Sequence, residues 1–491
     1  MTGLPPRIHP DVDAFLADGD AVAELLSEVG SPLNVVFPDL LRENVTAFRR
    51  VLTEHGLRHR ICFAHKANQS RLLVSAAAAE GIAVDVASPG EWANARAAGV
   101  EVGDLIVTGP KGPAFLEFLV SAGAVVIVDN PWELDQLIRL VRRRVLPAGT
   151  DASGGEARVR ILLRISGFAA RGPHATPTRV SRFGIPADAV DALLEAVHAA
   201  REVIDLLGVA FHVDSNAVSD KVTAIDTCLE IVERAWHRGL SPRVLDLGGG
   251  FGQVHLENPQ AYEDYSLAVR RGLIGAGPPM TWDGNQFGYR IEPGGAVTGT
   301  PTFHRYANAV PGPRFLADIL TASLPGHHGR TVSEVLRDNL IEVWIEPGRA
   351  LVDQAGVTLT TVQFTTIAAD GSRLVHLDLS RDKICPADQE VLVDPLVIPR
   401  TTGTGRTGSA PVGVFFAGCL CLERDMVYQH LTLLDRLPEP GDIIAFVNTA
   451  AYQMDLSASE ALLHPRPARV GVFREGSRFV SRSESTPAEV A

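Results

Sequence analysis

The chain has 491 residues, 46% hydrophobic and 21% charged, a globular composition with enough length for two domains with sizeable cores. A net charge of -13 with no basic face argues against nucleic-acid binding. No apolar run approaches the roughly 20 residues needed to cross a bilayer, so no membrane contact is expected. The cysteines are Cys62, Cys228, Cys385, Cys419 and Cys421. An odd number in a large chain reads as reduced thiols and a cytoplasmic setting. Cys419-Leu420-Cys421 has the wrong spacing for a zinc knuckle, and no metal site is expected. Residues 1–10 carry no basic-then-apolar segment, so no signal peptide is expected.

From about residue 60 to 350, short apolar runs alternate with Ala/Leu-rich helical patterns. Strands are predicted at 61–68, 82–88, 105–110, 124–130, 159–166, 207–215, 243–250 and 343–349. Each is continuously apolar and ends in a polar or glycine-rich signal, which means parallel pairing with both faces covered. Eight such units fit a closed (β/α)8 barrel over 41–352, with an open doubly wound sheet as the plainer competitor. The Gly/Pro-rich stretch at about 252–340 is long for one barrel connection and reads as an insertion with short helices of its own, a candidate lid. After Val352 the pattern changes to strand-like runs between Gly/Pro turns, predicting an antiparallel β-domain over 353–475. Residues 1–40 would contribute to it through a strand at 33–37. Loops are expected at 147–156 and 401–409, and a frayed tail over 476–491.

Chemistry-bearing residues fall at the ends of the predicted barrel strands, the rim where such barrels carry their sites. Lys66 follows Ile61-Cys62-Phe63-Ala64; a partly desolvated lysine there forms a Schiff base with a carbonyl, although most lysines are solvated surface residues. Gly248-Gly249-Gly250 would bring backbone N–H groups close to an anion, or serve only as a tight turn. Arg349 would add a phosphate contact or form a surface ion pair. Glu346 ends a very apolar strand, where a carboxylate is costly unless paired; a protonated pyridine nitrogen is such a partner. His212 would stack on a flat ring or be a satisfied core histidine. Ser215 would bond phosphate or cap a helix. Asp85 would orient Lys66 or act as a loop carboxylate. Together these groups meet the requirements of pyridoxal 5′-phosphate.

With these motifs in order, the chain resembles the fold-type III pyridoxal-phosphate-dependent decarboxylases, the ornithine, diaminopimelate and arginine decarboxylase group, as an atypical bacterial member. The motifs are AHKAN around Lys66, DVASPGE from Asp85, SRFGI from Ser181, FHVDS around His212 and Ser215, LDLGGGFG, IEPGR, CLCLERD and AAYQMD. They span roughly residues 30 to 475. A second Glu-Pro-Gly at Glu292 lacks the arginine and is read as a decoy.

The resemblance implies an α/β barrel of the alanine-racemase-like type with a C-terminal β-sandwich or β-barrel domain. It implies decarboxylation of an amino acid through a Lys66 aldimine, with Glu346 on the pyridinium nitrogen and His212 stacked on the ring. Ser215, Gly248, Gly249, Gly250, Gly348, Arg349 and Tyr452 would hold the phosphate side, and Asp85 and Arg164 would complete the cofactor contacts. It further implies a homodimer with shared sites, in which Cys421 is the acid that protonates Cα. Cys421, Glu423, Asp425 and Tyr452 would meet the substrate.

Three departures stand out. Leu422 follows Cys421 where the family commonly has an acidic residue that reads a distal cation. Asp214 precedes Ser215 where glycine is usual, and His65 replaces an apolar residue, read as structural. The alternatives are an amino-acid racemase, which Glu346 opposes, and a catalytically silent homologue, which Leu422 leaves open.

Overall fold

The structure is a computed structural model that describes residues 3–148, 158–168, 181–303, 308–384, 392–400 and 411–484. One unit comprises Arg42–Phe251 and Gly312–Leu351; the other comprises Met1–Leu41, Gly252–Pro311 and Val352–Ala491.

The first unit is a closed parallel barrel. Its strands are β1 (His59–Ala64), β2 (Ala83–Val86), β3 (Leu105–Val107), β4 (Val125–Val128), β5 (Val159–Ser166), β6 (Ile204–Phe211), β7 (Val244–Asp246) and β8 (Glu342–Ile345). They run in the order β4-β3-β2-β1-β8-β7-β6-β5, and pairing of β4 with β5 closes the ring. The two-residue strand Ile185–Pro186 adds to β5 outside the ring. Each predicted barrel strand is therefore present. The interior is filled by Cys62, Ala83, Ile106, Val125, Ile127, Leu162, Leu207, Ala210, Val244 and Trp344, with every strand contributing. Burial on both faces explains the continuous apolar runs.

Helices between the strands start on local caps. Ser70 and Ser88 accept from backbone N–H groups at the starts of Arg71–Ala79 and Pro89–Ala97. Thr331 and Glu334 form a capping box on Val332–Asp338.

The insertion expected at 252–340 is corrected. Gly312–Thr321 and Val332–Asp338 are the barrel's own helices before β8, with Phe315, Leu316, Ile319 and Leu320 forming a buried helical stripe. Only 252–311 belongs elsewhere, with the β-unit. There Tyr265 Oη donates to Met280 O (2.8 Å), Leu431 N–H donates to the same carbonyl (2.9 Å), and Trp282 meets Phe415 edge to face at 5.5 Å. These contacts lay the segment against the sheet of its own unit.

In the second unit, strand Leu33–Val36 sits mid-sheet, antiparallel to Gly356–Ile367 and parallel to Ala468–Glu475. The sheet continues through Arg373–Leu377, Val412–Ala417 and Met426–Leu434. It is mixed rather than purely antiparallel, because Arg373–Leu377 and Val412–Ala417 also pair in parallel. The frayed tail is corrected over 476–484, where Arg478–Ser483 forms an edge strand on Ala468–Glu475, pinned where Phe479 meets Phe15 edge to face at 5.6 Å; 485–491 lie outside the described residues. Residues 149–156 and 401–409 of the expected loops lie outside the described residues.

Among the described residues, no helix is long and apolar enough to cross a membrane, and no group of three or more His, Cys, Asp or Glu side chains could hold a metal.

Candidate active site

Strand parity builds the site. Side chains alternate across a strand, so the residue two positions beyond an inward-facing one also faces inward. Counting on from the interior layer gives Asp85 after Ala83, Asp129 after Ile127, Arg164 after Leu162, His212 after Ala210, Asp246 after Val244 and Glu346 after Trp344. Ala64 occupies the same level on β1, and Lys66 lies one further step along, in a single helical turn, His65–Ala67. Every one of these residues is at the C-terminal end of its strand.

Three carboxyl groups converge. Asp85 and Glu346 are 2% and 7% exposed, and Asp246 is fully enclosed. Burial, then the charge of Glu346, holds the Asp85 carboxyl well above the ordinary range, partly offset by the Lys66 ammonium. Burial and Glu346 push Asp246 up in the same way. Asp85 Oδ1, Asp246 Oδ2 and Glu346 Oε1 are buried without a hydrogen-bond partner. Such orphaned acceptors fit a ligand carrying an N–H at this depth, as a pyridinium does.

Opposite charge lines the other side. Arg164 Nη1 donates to Asp129 Oδ1 (3.2 Å), and its guanidinium covers the Phe183 ring at 4.8 Å, which gives the SRFGI segment a role. Behind it, Lys111 and Glu133 form a buried pair at 3.0 Å. Glu133 also accepts from the N–H groups of Lys111 (2.8 Å) and Asp129 (2.9 Å), fixing the loop that presents Asp129. His212 has an accessible face, yet the protein packed around it is the largest cause of a pKa well below the usual histidine value; Lys66 and Lys221 add to this. Gly249 N–H donates to His212 Nδ1 (3.3 Å), which matches a neutral ring.

The glycine turn is built into the backbone. Gly248 and Gly250 have φ of 63° and 81°, and a Cβ would lie 2.1 Å from Phe211 O and 2.3 Å from Val213 O respectively. Neither position admits another residue without displacing β6's exit. Gly248 N–H goes to Asp246 Oδ1 (2.8 Å) and Gly249 N–H to His212, while Glu346 N–H donates to Gly248 O (2.9 Å). Gly250 N–H has no acceptor among the described residues, which leaves it to an anion. Ser215 is less available than expected: its hydroxyl donates to Asp220 Oδ2 (2.6 Å) and accepts from Ala217 N–H (3.1 Å), a turn before helix Val218–His237. Gly348 is buried and Arg349 half-buried after β8. His65 is enclosed, with Nε2 bonded to Asn94 Nδ2 at 2.9 Å, in keeping with a structural role.

The β-unit holds the remaining candidates. Cys421, Leu422 and Glu423 are exposed on the 418–425 loop. Asp425 is buried, and its two oxygens accept from Arg381 N–H (2.8 Å) and Leu420 N–H (2.7 Å). Those bonds spend the side chain on shaping the loop. Tyr452 is half-buried with φ of 65°, an unusual backbone state for a tyrosine. Glu292 sits exposed on the turn between Tyr289–Ile291 and Val297–Gly299, remote in sequence from any barrel strand.

The sequence reading passed over Asp246, Asp129, Lys111, Glu133 and Lys221. Parity would have exposed the first two, each standing two residues beyond an inward-facing valine or isoleucine.

A lysine, a buried unpartnered carboxylate and a glycine turn on one rim of a parallel barrel fit a pyridoxal cofactor. Residues 39–299 match the family described as pyridoxal-dependent decarboxylase, pyridoxal binding domain, and the chain belongs to that family. Pyridoxal 5′-phosphate is therefore its cofactor. An uncharacterized protein of Sinorhizobium fredii, y4yA, is 30% identical over 485 residues, covering 96% of this chain and 94% of that protein. The diaminopimelate decarboxylase of Halalkalibacterium halodurans is 27% identical, over 95% of this chain and 92% of its own. The fold is also that of the M. jannaschii diaminopimelate decarboxylase crystallised with L-lysine, at a TM-score of 0.67 and 20% identity, covering 99% of this chain and 96% of that one.

Proposed function

We propose that this protein decarboxylates an α-amino acid, releasing CO2 and an amine. The supporting observation is the Lys66 amine on the same barrel rim as Glu346, a buried carboxylate whose Oε1 lacks a donor. When bound, the cofactor supplies an electron sink for the pair left as a carboxylate departs. Lys66 provides the tethering amine, which the substrate amine would replace. Glu346 would accept from the ring nitrogen and keep its proton there. His212, neutral and flat, offers a stacking face without adding positive charge. Arg164, held by Asp129 and Phe183, would serve the ring hydroxyl side. Gly250 N–H and Arg349 would take the phosphate, with Gly248, Gly249 and Gly348 shaping the backbone around it. Asp85 would orient Lys66.

The active form would be a cytoplasmic homodimer, in which Cys421 of the partner subunit delivers a proton to Cα and Tyr452 closes the site. Leu422 beside Cys421 favours a substrate whose far end is not cationic, because an exposed leucine offers no countercharge. The test is a screen of L- and D-amino acids with the cofactor-loaded protein, reading CO2 release and product chirality. Evolution of CO2 with one amine product supports the reading. Racemisation without CO2 replaces it, and a loaded protein inert across the panel leaves a binding homologue.

A further inference from the structure

Helix Val218–His237 buries a lysine where its stripe should be apolar. Lys221 shares its face with Ile225, Cys228 and Val232, all buried, and is itself 1% exposed. A charge in such a place is costly unless its donors are used. They are: Nζ donates to Gly249 O (2.5 Å) and Leu247 O (3.4 Å), and lies 5.6 Å and 5.4 Å from the centroids of Phe211 and Phe251. One acceptor lies in the glycine turn and the other on Leu247, the residue that leads into it. With Gly248 bonded to Asp246 and Glu346, and the Gly249 amide turned to His212, the ammonium completes the bonding of the turn's first two residues.

We infer that Lys221 is a positioning residue of the cofactor's phosphate site: it holds the 248–250 turn from behind by the carbonyls of Leu247 and Gly249, leaves Gly250 N–H for the anion, and sets a positive charge beneath the phosphate. The inference rests on the proposed seating of the phosphate at this turn. Charge-assisted bonds to backbone carbonyls polarise the peptide units they hold and strengthen the opposite N–H as a donor. The acidic side chains acting on Lys221 are Asp214, Asp246 and Glu346. Burial outweighs them and brings its pKa down to about 8, so it is cationic at neutral pH.

The experiment compares pyridoxal 5′-phosphate with pyridoxal, which lacks the phosphate, in equilibrium binding to the full-length apoprotein. Lys221→Met removes both the donor and the charge. Its affinity for the phosphorylated cofactor should fall roughly ten- to hundredfold, as for loss of a buried charge-assisted contact, while affinity for pyridoxal changes less than twofold. Equal loss for both ligands, or no loss for either, overturns the inference. If circular dichroism shows that Lys221→Met is unfolded, Lys221→Gln decides by the same two affinities. Failure of the underlying reading looks different: the wild-type protein would itself bind the two ligands equally.

Discussion

The barrel rim and the 418–425 loop both present candidate catalytic groups, but they hold them by different means. On the rim, each side chain is aimed by a strand whose inward layer is packed from all sides. The loop carries no such scaffold; its shape comes from one buried aspartate that accepts two backbone N–H groups. The rim is thus specified by pleat and packing, and its carboxylates bear the cost of burial. The loop is specified by hydrogen bonds local to it, which leaves Cys421 and Leu422 exposed. Positions on the rim should tolerate little, whereas the loop can change its chemistry at Leu422 without changing the fold.

The largest effect that would test this contrast is at the rim. Lys66→Ala should eliminate turnover and the long-wavelength absorbance of lysine-bound cofactor; retention of both would move the anchor to another lysine. On the loop, Cys421→Ala should keep that absorbance but slow turnover by roughly a hundredfold or divert the product, as loss of a positioned acid does. An unchanged rate and product would remove Cys421 from the chemistry. Asp425→Ala should act on structure, lowering stability by roughly 1–3 kcal/mol in denaturant titration by leaving buried N–H groups unpaired.

The smallest effect separates the rim's electrostatics from its packing. His212 and Lys221, whose folded pKa values are lowered, bind fewer protons than in the unfolded chain and so make stability rise with pH. The raised carboxyls of Asp85 and Asp246 contribute in the opposite sense. There the folded state retains protons that the unfolded chain has released, so their contribution to apoprotein stability should fall as pH rises through the carboxyls' folded range, by up to about 1.4 kcal/mol per unit for each retained proton. Asp246→Asn should flatten that slope; an identical slope would show that Asp246 carries no such proton.

Much of the rim was legible because its strands are enclosed on both faces. Their apolar runs end abruptly, and the first polar residue marks the barrel's edge, as at Asp85, His212 and Glu346. Asp246 escaped notice because the three glycines behind it were the stronger signal, although it occupies the same level as the others. Ser215 shows the opposite error: a hydroxyl near a helix start bonds its own turn first, and here it does. Lys221 was hidden by the assumption that lysines are solvated, yet its spacing with Ile225 and Cys228 places it on the buried stripe. Arg478–Ser483 lacks an apolar pattern because an edge strand needs only backbone pairing and one aromatic anchor. The division of 252–340 was missed because its Gly/Pro content obscured the helical stripe at Phe315, Leu316, Ile319 and Leu320.

The bond from Glu346 N–H to Gly248 O, together with that from Leu247 N–H to Trp344 O, ties the exit of β8 to the exit of β7. The acid and the turn therefore keep a constant separation, set by main-chain geometry rather than by side-chain conformers. If the ring nitrogen meets Glu346 and the phosphate meets the turn, as proposed, a cofactor analogue with one extra methylene between ring and phosphate would satisfy one end only at the expense of the other, and the rim would act as a gauge of ligand length.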